Sequence, residues 1–199
     1  MSRKVLFCLI LLGPLSLVAQ DWTETLQEVN AERIRLNKIN MWVLGGWAVG
    51  NIAVGGIMRS QTTGSVRYFH EMNAIWNVVN LGLAAGGLYG AYTGQTDLSL
   101  WQTYQEQQQI EKILLFNMAL NFSYLTAGVY LQERSRRTDI DRPERLKGYG
   151  QALLLQGGFL LLFDITQFWL HHHHATPKLQ QMLEHVQMGP GGIGLTWGF

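Results

Sequence analysis

The stretch Val78–Tyr92 reads VVNLGLAAGGLYGAY, and polar residues do not recur along any face of it. The stretch Ala152–Phe163, ALLLQGGFLLLF, is similarly apolar. A helix on the surface of a soluble protein carries polar residues every few positions on the side that meets water. Because neither stretch has such a side, both indicate helices surrounded by lipid.

Four apolar blocks of this kind follow one another along the chain, and none contains Lys or Arg. Each is close to the ~20 residues that a helix needs to cross a hydrocarbon layer of roughly 30 Å. The sequence therefore predicts an all-α fold, an integral membrane four-helix bundle with helical extensions outside the bilayer. The predicted spans are about 41–58, 72–92, 113–131 and 149–170.

The composition limits the classes of function. Charged residues make up 15% of the 199 residues, against roughly 25% in soluble domains. A net charge of +1 gives no basic surface for nucleic acid, and no nucleic-acid partner is predicted. The single cysteine, Cys8, excludes an intramolecular disulfide and a cysteine-ligated zinc site.

The first twenty residues are typical of a secretory signal peptide. Arg3 and Lys4 precede an apolar run, and Ala19-Gln20 is a plausible cleavage point. The alternative is an uncleaved membrane helix. Residues 21–175 are then the predicted four-helix domain, and residues 176–199 an external C-terminal tail.

Lys and Arg are expected to concentrate on the cytoplasmic side of a membrane protein. The connections after the first and third spans hold Arg59, Arg67, Arg134, Arg136, Arg137, Arg142, Arg145 and Lys147. The opposite side holds only Arg33, Arg35, Lys38, Lys112 and Lys178. This distribution predicts a multi-pass inner-membrane protein with both mature termini on the external, periplasmic side.

Polar side chains recur along one face of each predicted span. In the second span, His70, Asn73, Asn77 and Asn80 follow the spacing i, i+3, i+7 and i+10, which keeps them on one side of a helix. The other spans contribute Asn37, Asn40, Trp47 and Asn51, then Asn117 and Asn121, then Gln156, Asp164, Gln167 and His171. Such faces are expected to meet inside the bundle, either as a polar core that fixes helix register or as a binding site.

Asp164 is the only acidic residue inside any predicted span. An ionisable group at membrane depth suggests a functional site, so Asp164 is the centre of the candidate site. The alternative is a protonated Asp164 that donates a hydrogen bond to an asparagine. The candidate ligand-binding or polar-core residues are Asp164, Asn80, Asn77, Asn117, Asn121, Gln167, Asn51, His70 and Asn73.

The histidine run from 171 to 174 offers a weak metal site at His171 and His174, which share a helix face. A surface role is the alternative. His70 lies at the opposite end of the bundle, which argues against haem held by two histidines, and no cofactor is predicted. Glu71 follows Arg67 by four residues and is expected to pair with it.

Glycines recur every fourth residue in two spans, at Gly46 and Gly50 and at Gly82, Gly86 and Gly90. Such ladders allow helix backbones to approach closely. They predict packing between the first two spans, or alternatively the interface of a homodimer or of a complex with another membrane protein.

The segments RLNKINMWVLGGWAVGNIAVGG, residues 35–56, and YFHEMNAIWNVVNLGLAA, residues 68–85, resemble an uncharacterised family of small bacterial membrane proteins with a signal peptide and four spans. The resemblance implies this architecture and no activity. No serine elbow, zinc helix, P-loop or dinucleotide fingerprint occurs, which argues against an enzyme. Three hypotheses remain: a structural or accessory membrane protein, a protein that handles a small ligand, cation or proton at Asp164, and a metal or cofactor protein.

Overall fold

The computed structural model describes the backbone of residues 5–184, 186–189 and 192–195, and the side chains of residues 22–184. Four helices account for almost all of it: α1 (Val5–Gln61), α2 (Gly64–Thr93), α3 (Leu100–Arg134) and α4 (Pro143–Glu184). The predicted all-α class with four helices is confirmed. Two short strands, β1 (Val186–Gly189) and β2 (Gly192–Leu195), pair antiparallel after α4.

The helices pack as two hairpins. Only Thr62 and Thr63 separate α1 from α2, so the two helices return along each other, and α3 packs against α4 in the same manner. The hairpins meet chiefly where α2 contacts α4. No comparable backbone packing joins α2 to α3 in the described part of the chain, which leaves a cleft between these two helices.

Three segments are long and apolar enough to cross a membrane: Trp22–Gln61, Leu100–Arg134 and Pro143–Glu184. Helix α2, which contains the second predicted span, is not among them, because asparagines lower its mean hydropathy. The predicted signal peptide falls on residues 1–20, whose side chains lie outside the described residues. The backbone of α1 is helical from Val5 onward.

The helices extend well beyond the predicted spans at one end of the bundle. There, α1 and α4 form an apolar core of Leu26, Val29, Ala175, Leu179 and Met182, against which Trp22 and Leu100 pack. The Ser99 side chain caps α3 by accepting from the backbone N–H of Gln102. Pro177 lies inside α4. The first nine residues of the predicted tail, 176–184, are therefore helical. Pro177 cannot donate a backbone hydrogen bond within the helix, and burial of Leu179 and Met182 offsets the cost of that missing bond.

The first two helices pack against each other, but the prediction that the glycine ladders form their contact was wrong. A Cβ added at Gly46, Gly50, Gly82, Gly86 or Gly90 would meet no atom within 4 Å. The hairpin packs instead through Gly55, where a Cβ would lie 2.6 Å from the carbonyl oxygen of His70, and through Gly87, which faces the side chain of Met41. Both ladders lie on faces turned away from the helix pair.

A second pair of glycines sets the contact between α3 and α4. A Cβ on Gly150 would lie 2.7 Å from the carbonyl oxygen of Gly128, and one on Gly128 would lie 2.9 Å from that of Gly150. Neither residue belongs to a glycine ladder with four-residue spacing. Close contact here fixes the depth at which polar residues of α4 face those of α3.

Candidate ligand-binding site

A cleft of about 660 Å³ lies between the hairpins and is lined by residues of all four helices. Along α3 it extends from Glu106 to Tyr124, roughly 27 Å at ~1.5 Å per residue. Ligand pockets in proteins measure roughly 300–1,000 Å³. The cleft is therefore large enough for a small organic molecule.

Aromatic side chains close one end of the cleft, and an ion pair closes the other. At one end, Trp76 and Tyr124 make an edge-to-face contact with ring centroids 4.7 Å apart. At the other end, the Arg33 guanidinium donates to a Glu106 carboxylate oxygen at 3.0 Å. The buried Arg33 also donates to Asn30 at 3.1 Å, so it is held on two sides, whereas the Glu106 side chain is about half exposed.

Asp164 lies in the wall of the cleft, where one other side chain of the described residues is hydrogen-bonded to it. The side-chain amide of Asn121 donates to a carboxylate oxygen of Asp164 at 2.7 Å, and both side chains are buried. Asn80 and Asn117 line the same cleft. The structure therefore brings Asp164 together with the three asparagines that the sequence selected around it.

Gln167 also lines this cleft, but the other predicted ligand-binding or polar-core residues, Asn51, Asn73, Asn77 and His70, do not. Asn51 and Asn73 form a separate cluster, in which Gln156 donates to Asn73 at 2.7 Å and to Asn51 at 3.3 Å. The Trp47 indole completes that cluster by donating to Gln156 at 2.9 Å. The predicted polar set thus divides into a ligand-sized cleft and a closed hydrogen-bonded core.

Two further members of the predicted set lie outside the cleft. Asn77 bridges the two groups, since it donates to the backbone of Asn73 at 2.8 Å and accepts from Asn80 at 3.1 Å. His70 is half-buried beside Phe69, with ring centroids 5.1 Å apart, and does not line the cleft.

The predicted pair of Glu71 and Arg67 was wrong. Glu71 accepts from Arg59 of α1 at 2.7 Å and from the Tyr149 hydroxyl of α4 at 2.7 Å. The tight connection between α1 and α2 brings Arg59 next to Glu71, and this tertiary contact replaces the local pair.

Sequence reasoning missed Arg33, Glu106 and Gln109 as cleft residues. They precede the apolar blocks and therefore fall in the predicted helical extensions. The spacing of Arg33, Asn37 and Asn40 at i, i+4 and i+7 was the available signal, because it continues the polar face of α1 outward.

Three residues of the cleft carry a buried polar atom with no hydrogen-bond partner in the described part of the chain. They are Nε of Arg33, Oε1 of Gln167 and Nδ1 of His171. Leaving such a group unpaired costs about 1–3 kcal/mol. All three residues line the cleft, but the unpartnered atoms themselves are covered by the surrounding protein.

The charges are balanced at the end of the cleft that the Arg33–Glu106 ion pair closes. Burial lowers the pKa of the Arg33 guanidinium, while Glu106 opposes this shift. His171 follows the predicted fourth span, and burial together with the Arg33 charge lowers its pKa to about 4. His171 is therefore neutral at pH 7 and adds no charge to the Arg33–Glu106 pair.

A hydrogen-bonded cluster beside the cleft holds α3 against α4. Glu111 accepts from Gln107 at 2.7 Å and from Thr176 at 2.8 Å, and lies 3.2 Å from a ring nitrogen of His172. Gln107 also donates to the backbone carbonyl of His171 at 3.0 Å. This cluster fixes the backbone that carries His171.

The predicted metal pair is only partly accessible. His171 is buried and His174 half-buried, and burial lowers the pKa of His174 as well. The described residues contain no group of three or more His, Cys, Asp or Glu that could hold a metal ion. The other two histidines of the run stack on aromatic rings, His172 on Phe168 and His173 on Trp169.

Comparison with protein-family models matches residues 43–165 to a "Family of unknown function (DUF6992)". The chain belongs to this family. The resemblance of residues 35–56 and 68–85 to an uncharacterised family is thereby confirmed, whereas the bacterial origin, the signal peptide and the four spans stay predictions. The matched part includes Asn80, Asn121 and Asp164, whereas Arg33 and His171 lie outside it. Comparisons with curated proteins and with solved structures returned no match.

Proposed function

We propose that this DUF6992 protein is a multi-pass protein of the bacterial inner membrane that binds a small molecule in the cleft between α2 and α3. The observation that carries the proposal is the lining of this cleft of about 660 Å³, to which all four helices contribute carboxamide side chains and α4 adds the carboxyl group of Asp164. Polar groups buried in folded proteins are generally paired. A bound molecule would supply hydrogen-bond partners to this polar lining.

The apolar exterior supports insertion into a membrane. Large hydrophobic side chains such as Phe116 and Leu162 are 65% and 70% exposed, which is costly in water and favourable in lipid. Helix α2 follows α1 after two residues and runs back beside it, so it is the fourth membrane-crossing element in this proposal. The distribution of Lys and Arg supports external positions for both mature termini.

The test compares two tryptophan substitutions on α3. Leu120 lines the cleft, whereas the exposed Leu115 of the same helix does not. The protein is extracted with its native lipids into polymer discs, and native mass spectrometry records any mass retained at about one equivalent. We expect a retained molecule in the wild type and in Leu115→Trp but not in Leu120→Trp. Equal retention in both variants, or none in the wild type, would contradict a ligand in the cleft.

A second proposal concerns a partner. Gly46 and Gly50 of α1 and Gly82 and Gly86 of α2 present outward surfaces without side chains, which favours an accessory role in a homodimer or with another membrane protein. Gly86→Ile should then weaken cross-linking between copies or to the partner in native membranes. Gly158→Ile on α4, another glycine with no neighbour within 4 Å of its added Cβ, is the control.

A further inference from the structure

We infer that the ligand of this cleft is an uncharged amphiphile that enters sideways from the bilayer, between α2 and α3. Its oxygen-bearing head group lies between Arg33 and Asp164, and its hydrocarbon tail leaves between the two helices. This inference rests on the proposed function and names the chemical class of the ligand.

The rim of the cleft defines the route of entry. Val79 and Leu83 of α2 and Ile113 of α3 line the cleft, yet they are 63%, 62% and 51% exposed. The cleft therefore opens onto the apolar outer surface of the bundle. In the membrane this surface faces lipid tails, so a molecule that uses this opening must itself dissolve in the bilayer.

The inner wall of the cleft selects the head group. Its polar lining consists mainly of carboxamides, contributed by Asn37, Asn40, Asn80, Gln109, Asn117, Asn121 and Gln167. Carboxamides both donate and accept hydrogen bonds, as hydroxyl groups do. They therefore match a head group that carries hydroxyl or carbonyl oxygens.

The charges of the cleft disfavour a strongly charged head group. The cleft holds the cation of Arg33, already paired with Glu106, and the carboxyl group of Asp164, whose hydrogen-bond partner among the described residues is Asn121. An added anion would face these two acidic side chains. An added cation would either compete with Arg33 for Glu106 or have to be desolvated to reach Asp164 at membrane depth. A neutral head group avoids both costs.

The experiment titrates the purified full chain in a neutral detergent with four probes and counts bound molecules by native mass spectrometry. The probes are 1-oleoylglycerol, which is neutral, oleoyl lysophosphatidate, which is anionic, oleylamine, which is cationic, and glycerol, which has no tail. We expect one equivalent of 1-oleoylglycerol, and at least about tenfold weaker binding of the two charged probes, since each adds a buried charge without a partner. We expect no binding of glycerol.

Two neighbouring valines provide the matched variants. Val79 lines the cleft and Val78 does not, although the side chains are similarly exposed at 63% and 60%. Val79→Trp should weaken binding of 1-oleoylglycerol by about tenfold or more through steric overlap, and Val78→Trp should leave it unchanged. Because both positions are on the outer surface, tryptophan fits at either without repacking the core, and equal unfolding midpoints verify this.

Each other outcome overturns a stated part of the inference. Comparable binding of either charged probe overturns the uncharged head group, and binding of glycerol overturns the amphiphile. Unchanged binding in Val79→Trp overturns entry between α2 and α3. Absence of binding by all four probes overturns the inference as a whole. The proposed function still stands in that case if Leu120→Trp, and not Leu115→Trp, loses a molecule retained from native membranes.

Discussion

The amide of Asn121 donates to the carboxylate of Asp164 at 2.7 Å, across the contact between α3 and α4. Asn80 of α2 lines the same cleft as these two side chains. Close approach of Gly128 to Gly150 fixes this alignment two turns further along α3. A local backbone contact thus determines which polar residues share the cleft.

Replacing Asp164 tests how much its hydrogen bond with Asn121 contributes to stability. Asp164→Leu removes the acceptor of Asn121 and leaves a buried amide unpaired, which should lower the free energy of unfolding by about 1–3 kcal/mol. Asp164→Asn retains an acceptor oxygen and should cost less. Thermal unfolding in detergent measures both variants. Equal loss of stability in the two would show that the hydrogen bond to Asn121 is not what Asp164 contributes.

Gln156 belongs to the closed polar core and should matter for stability without affecting a ligand. Gln156→Leu removes partners of Trp47, Asn73 and Asn51 at once, and we expect a loss of about 1–3 kcal/mol or more in unfolding free energy. Retention of a small molecule, measured by native mass spectrometry, should be unchanged. The half-buried Gln151 of the same helix provides the control, and Gln151→Leu should be close to neutral. If Gln156→Leu folds normally but no longer retains the molecule, the separation of the closed polar core from the ligand-binding cleft is contradicted.

Sequence periodicity located the polar faces because it depends only on the helix repeat. It placed Asn80, Asn117, Asn121, Asp164 and Gln167 on inward faces, and all five line the cleft. Periodicity could not separate these five cleft residues from Asn51, Asn73 and Asn77. The position of a residue along the bundle axis relative to residues of a neighbouring helix depends on how far the two helices are shifted along each other. The sequence carries that information only indirectly, in glycine contacts between helices.

Contacts that depend on tertiary structure were not accessible from local rules. Arg33 was assigned to a flanking extension because it precedes the apolar block, and only the fold brings Glu106 to it from 73 residues away. The i, i+4 rule similarly assigned Arg67 to Glu71, whereas the turn between α1 and α2 brings Arg59 there. The glycine ladders were selected for their spacing, but Gly55 and Gly128 make close contacts without belonging to either ladder.

Gly150 should not tolerate a larger side chain. In Gly150→Ala the new methyl group would lie 2.7 Å from the carbonyl oxygen of Gly128, which forces α3 and α4 apart. We expect a loss of about 1–3 kcal/mol in unfolding free energy, as for other overpacked contacts. Gly158→Ala meets no neighbour within 4 Å and should be neutral or slightly stabilising, because alanine favours the helix. Similar unfolding temperatures for the two variants would contradict the close contact.

Stability should fall in acid because of His171. Its pKa is about 4 in the folded protein and about 6.5 in an unfolded chain. Between these values the unfolded chain binds the proton and the folded protein does not, so protonation favours unfolding. With respect to His171, the protein has its full stability above pH 6.5. As the pH falls from 6.5 to 4, protonation of His171 in the unfolded chain lowers the free energy of unfolding by up to about 3 kcal/mol.

The groups that face His171 do not reverse this direction. Arg33 and His174 oppose its protonation, whereas Glu111 and Glu32 favour it, and burial is the largest cause of the lowered pKa. Unfolding midpoints are measured between pH 4 and pH 8 for the wild type and for His171→Gln, which cannot titrate. Glu32 has a lowered pKa from its hydrogen bond with Arg35, and so also loses stabilisation in acid in both proteins. The difference between the two curves therefore isolates His171, and parallel curves would show that His171 is not held neutral by the fold.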